Sequence, residues 1–164
     1  MTATTREYLE TYLQDHRAGA AMGSDLAGRL ADENQGTTYE GFLVTLAQEI
    51  EDDVAALEQI MDRFGVTTPA LKIAAAKVGE KLGRLKPNER LTGYSPLSRV
   101  LELEGLRAGV EGKLALWDAL AQLAATDERL DAEQIAGLQS KAQKQLEGLR
   151  EQHLVASREA FVEG

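Results

Sequence analysis

Apolar residues recur along most of the chain at alternating steps of four and three, the spacing that places them on one face of an α-helix. The first stripe, Leu9, Leu13, His16, Ala20, Gly23, Ala27 and Leu30, predicts a helix over about residues 5–33. Thr4 and Glu7 have capping-box spacing at its start, and "ENQG" ends it with Gly36 as the left-handed stop. The second stripe, Leu43, Leu46, Ile50, Val54, Leu57, Met61 and Phe64, predicts a helix over about 38–64. Thr37 and Glu40 open it, and Gly65 closes it.

A third helix is expected over about 96–124, opened by Ser95 and Pro96. Its face carries Leu103, Leu106, Val110, Leu114, Trp117 and Leu120. A fourth is expected over about 131–161, opened by Asp131 with Gln134 three residues on. Its stripe is Ile135, Leu138, Ala142, Leu146, Leu149, His153, Ala156 and Ala160. Between the second and third helices, residues 66–95 hold a short helix with Thr68 as N-cap and Pro69 at its first position, then the loop "KPNERLTGY". Two short connections flanking one long one predict an all-α protein. Its form is a four-helix bundle of two antiparallel hairpins with a short crossover helix.

Glycines modify this picture. Gly19 and Gly23 flank Ala20 on the first helix, and Gly105, Gly109 and Gly112 share a face of the third. Each costs up to about 1 kcal/mol relative to alanine inside a helix, so close approach of two backbones is the expected compensation.

Composition bounds the function. A chain of 164 residues suits one domain, so 1–164 is read as a single helical bundle. The net charge of −9 argues against nucleic-acid and anionic-membrane partners. Cysteine is absent, which excludes disulfides, thiolate metal sites and a Cys nucleophile. No secretory leader and no membrane-spanning run is evident, so a cytoplasmic location is expected. Charge is also uneven. Lys72, Lys77, Lys81, Arg84, Lys86 and Arg90 face only Glu80 and Glu89 within residues 70–90, a net of +4. Lys77, Lys81 and Arg84 share one face of the short helix. That face either docks on the acidic body of the bundle or serves an acidic partner.

The chain has two histidines, His16 and His153, and both fall on apolar stripes. Carboxylates beside the stripes supply possible partners: Glu49 and Asp53 on the second helix, Glu104 and Glu111 on the third. A buried carboxylate needs a hydrogen-bonded or charged partner. His16 lies about 11 residues into its helix and Asp53 about 11 before the end of its own, so a His16–Asp53 contact is expected in an antiparallel hairpin. If the third helix starts where the second stops, Glu104 and His153 join that layer. If the connector first climbs the bundle, Glu111 joins instead and His153 is remote.

The climbing layout resembles the ferritin-like superfamily, two long helical hairpins with one crossover. That resemblance implies a carboxylate-bridged di-iron site, with Glu on two helices and Glu-x-x-His on the other two. Here Leu13 and Arg150 stand three residues before the histidines, and Glu49-x-x-Asp52 has Asp where His belongs. No metal ligand is carried over. The expectation is therefore a non-enzymatic structural or interaction protein with no cofactor, forming a homo-oligomer or binding a protein partner. The alternative is a metal-binding or redox bundle holding iron, manganese or zinc at a non-standard site drawn from His16, Glu49, Asp53, Glu104, Glu111 and His153.

Overall fold

The structure, a computed structural model, describes residues 2–67 and 94–163. It contains four long helices in the order α1 (Ala3–Glu33), α2 (Glu40–Phe64), α3 (Pro96–Ala124) and α4 (Ala132–Phe161). Among the described residues there is no strand, and no helix is long and apolar enough to cross a membrane. The short connector helix, its Thr68 and Pro69, and the basic residues Lys77, Lys81 and Arg84 lie outside the described residues.

Local chemistry sets most helix ends. Ser95 caps α3 by accepting from the Ser98 amide, with Pro96 following at the first helical position. Asp131 caps α4 by accepting from the Glu133 and Gln134 amides. Gly65 ends α2 at φ +67°, a left-handed conformation that a side chain would strain. Two expectations need correction. The cap of α1 is Thr2, which accepts from the Thr5 amide, so Thr4 lies inside the helix. At α2, Thr37 and Glu40 do not bond each other reciprocally. The Thr37 hydroxyl accepts from the Tyr39 amide, and Glu40 reaches back to the Gly36 amide.

The core is built from the stripes: Leu13, Ala27 and Leu30 of α1, Leu43 to Phe64 of α2, Leu103 to Leu120 of α3 and Ile135 to Ala156 of α4. One end of the bundle is locked around the fully buried Asn34. Its amide donates to the Leu30 carbonyl and the Tyr94 hydroxyl, and its carbonyl oxygen accepts from Arg99 Nε. Arg99 also donates to Glu159 and lies over the Tyr39 ring. At the opposite end Arg63 bonds the Arg129 carbonyl and Gln134, and Arg129 covers the Phe64 ring. Thus α3 begins beside the end of α1, not beside the end of α2.

Candidate functional site

Three polar residues sit on the inward face where an apolar residue would ordinarily stand. Asp53 falls between Ile50 and Leu57 on α2, Lys113 between Val110 and Trp117 on α3, and Gln145 between Ala142 and Leu149 on α4. Asp53 is only 3% exposed and Gln145 is equally buried. Lys113 Nζ donates to Asp53 Oδ2 and to Gln145 Oε1, each at 2.5 Å. Lys141 reaches the other Asp53 oxygen at 2.5 Å. The Gln145 amide donates to Glu49 Oε2 at 2.9 Å. Two carboxylates and two ammonium groups therefore neutralise each other across α2, α3 and α4. Burial pushes the Lys113 ammonium below its ordinary pKa, while the Asp53 carboxylate beside it acts in the opposite direction.

This network borders a cavity of about 340 Å³ between α1, α2 and α3. Its walls are largely apolar: Ile50, Val54 and Leu57 from α2, and Leu106, Val110, Leu116 and Trp117 from α3. Asp15, His16, Asp53 and Lys113 supply the polar groups. The remaining wall is glycine, Gly19 and Gly23 of α1 facing Gly105, Gly109 and Gly112 of α3. Gly19, Gly105 and Gly109 are exposed, so the mouth follows the line between α1 and α3.

The expected close backbone packing at these glycines is overturned. A Cβ built at Gly19, Gly23, Gly109 or Gly112 would meet nothing within 4 Å, and only Gly105 has a near neighbour, Leu26 Cδ2 at 3.3 Å. The missing side chains open space instead of allowing contact. A glycine that is tight lies elsewhere: Gly148 of α4, where a Cβ would collide with the Phe42 ring.

The His16–Asp53 contact is also overturned. Asp53 is taken by Lys113, Lys141 and Gln145, and His16 instead meets the Tyr12 ring edge-on at 4.5 Å. Register is the reason. α1 has 31 residues and α2 has 25, and the two are aligned at the turn they share, so α1 overhangs at its start. The Arg17–Glu58 ion pair records that offset, placing His16 about a turn and a half below Asp53. Both residues still line the cavity. Burial lowers the His16 pKa, opposed by the nearby Asp15.

The other candidates disperse. His153 pairs with Glu104 at 2.9 Å, at the level where Gly105 meets Leu26 of α1. That level is about ten residues, or ~15 Å, from His16 along the helix. Glu111 is exposed, and Glu49 is engaged by Gln145. Among the described residues no group of three or more metal-ligating side chains forms, so His16, Glu49, Asp53, Glu104, Glu111 and His153 do not make one centre.

Lys113, Lys141 and Gln145 were not singled out from the sequence. For two of them a signal existed. Leu106, Val110, Lys113, Trp117 and Leu120 keep the four-three alternation without a break, as do Leu138, Ala142, Gln145 and Leu149. Choosing the apolar Leu114 and Leu146 for those steps hid the polar residues on the seam. Comparison with family models, with curated proteins and with solved structures found no match to this chain.

Proposed function

We propose that this chain is a ferritin-like bundle of two antiparallel hairpins that works by self-association, in the cytoplasm, without a di-iron centre and without catalysis. The observation that carries this reading is the cation set at Asp53. The family resemblance implies metal ions between inward carboxylates at mid-bundle. In this chain Lys113 and Lys141 already bring two ammonium groups against Asp53, and Gln145 ties in Glu49. A divalent cation would have to displace them at a cost in both charge repulsion and desolvation. Connectivity supports the topology: the Asn34 end gathers the close of α1 and the start of α3, and the Arg63 end gathers the close of α2 and the start of α4.

Exposed apolar side chains support association. Leu97 and Leu101 stand one turn apart on α3, and Leu154 and Phe161 two turns apart on α4. The Arg99–Glu159 ion pair brings these parts of the two helices together at one end of the bundle. Exposed apolar side chains gathered at one end of two neighbouring helices are suited to an interaction site, and a second copy presents the same side chains.

Sedimentation of the untagged protein over a range of concentrations tests this. A dimer or larger species is expected, with Leu154→Glu and Phe161→Glu shifting it to monomer while the helix content holds. Metal analysis of the same sample should give less than stoichiometric iron, manganese and zinc. A monomer at every concentration would remove the association reading. Tightly held stoichiometric metal would replace it with the metal-binding alternative.

A further inference from the structure

The glycine-walled cavity is the strongest feature that self-association leaves unused. Four glycines in two helices border open space where alanine would fit without contact, so packing between the helices does not demand them. What they jointly produce is room. An apolar cavity of about 150 Å³ accommodates one benzene ring. At about 340 Å³ this one is a little over twice that size.

Charge in the interior of the site is balanced. Lys113 is held by Asp53 and Gln145, and the one other charged residue of the lining, Asp15, is exposed to solvent, so the inner wall offers no unpaired charge to a ligand. One uncharged polar side chain remains: His16, half-buried, lines the cavity and makes no hydrogen bond among the described residues. A neutral imidazole can donate or accept.

We propose that this cavity is a binding site for a small uncharged apolar molecule of about two fused rings, carrying a single hydrogen-bonding group that His16 engages. Binding needs no chemistry at the site and no change in the Asp53–Lys113 pair. It is independent of the association surface, because the exposed apolar residues at the Arg99 end do not line the cavity.

The probe is 2-naphthol, a neutral two-ring molecule with one hydroxyl, titrated into the full chain. Trp117 is the sole tryptophan, so its indole N–H gives a single nuclear magnetic resonance signal that reports on the cavity. Calorimetry should show saturable one-to-one binding, and the Trp117 signal should move with the same midpoint. Naphthalene-2-sulfonate, the anionic counterpart, should bind more weakly. Gly109→Leu places a side chain in the open space and should weaken 2-naphthol binding by about tenfold or more. Gly23→Leu blocks from the α1 wall and serves equally if the first variant does not fold. Gly109→Ala should melt no lower than the parent, since its methyl group meets nothing. An unmoved Trp117 signal, non-saturable uptake, unchanged affinity in a folded blocking variant, or preference for the sulfonate would each overturn the assignment.

Discussion

Asp53 lies inside the bundle with an ammonium group against each of its oxygens. A buried ion pair contributes little net stability, because the desolvation of both charges offsets their attraction, yet removing one member strands the other. Asp53→Ala should therefore destabilise the fold by about 2–4 kcal/mol, with Lys113 left buried beside an apolar methyl group. Lys113→Met should be costly for the mirror-image reason. The Asp53→Ala/Lys113→Met double variant should lose far less than the two single losses added together. Urea unfolding of the four proteins measures this, and additive losses would show that the pair is not coupled. His16 gives a pH-dependent counterpart. In the unfolded chain its imidazole takes up a proton near pH 6.5. In the fold, burial delays that uptake to lower pH. Between those two values the unfolded state binds more protons, so stability falls as the pH drops through that window. His16→Gln should flatten this limb of the urea midpoint against pH, and an unchanged slope would place the titrating group elsewhere.

At the scale of the helices, the elements and their ends follow from neighbours within a few residues. Ser95 with Pro96, Asp131, and Gly65 each act over a single turn, and each stands where the spacing of the chain places it. The departures are also local. α1 starts at Ala3 because Thr2 offers the same capping hydroxyl as Thr4 and permits a longer helix. Tyr39 occupies the cap position of α2 without a side-chain bond, because the preceding turn consumes Thr37 and Glu40 in its own hydrogen bonds. Faces were less completely legible than ends. The apolar stripes locate the core, but one face of a helix carries two candidate residues at each turn. Asp53, Lys113 and Gln145 occupy the inward choice on three helices, and Val54, Leu114 and Leu146 beside them are only partly buried.

At the scale of the molecule, Asn34 ties the helices into one arrangement. It joins the end of α1 to Tyr94, to Arg99 of α3 and through Arg99 to Glu159 of α4, with Tyr39 before α2 packed beneath the guanidinium. Burial, followed by the nearby Glu159 carboxylate, pushes the Tyr39 phenol up to about 12. Asn34→Ala leaves the Leu30 carbonyl, the Tyr94 hydroxyl and Arg99 Nε each short of a partner. The expected cost is about 2–3 kcal/mol, shown as a lower urea midpoint. Asn34→Asp keeps the acceptor for Arg99 and should lose less. Equal losses in the two variants would mean that the Arg99 bond does not hold this end.

The sequence by itself determined the four helices, most of their termini and the stripes that form the core, because helix propagation and capping depend on residues three or four apart. Only the tertiary structure decided what faces what. The His16–Asp53 expectation failed on a register set by the turn between α1 and α2, which spacing within either helix does not record. Asp53, Lys113 and Gln145 are 60 and 32 residues apart along the chain and meet because α3 begins at the end where α1 finishes. The glycines were legible as an anomaly. Whether they close a gap or open one depends on the distance between two helix axes, and packing elsewhere in the core sets that distance.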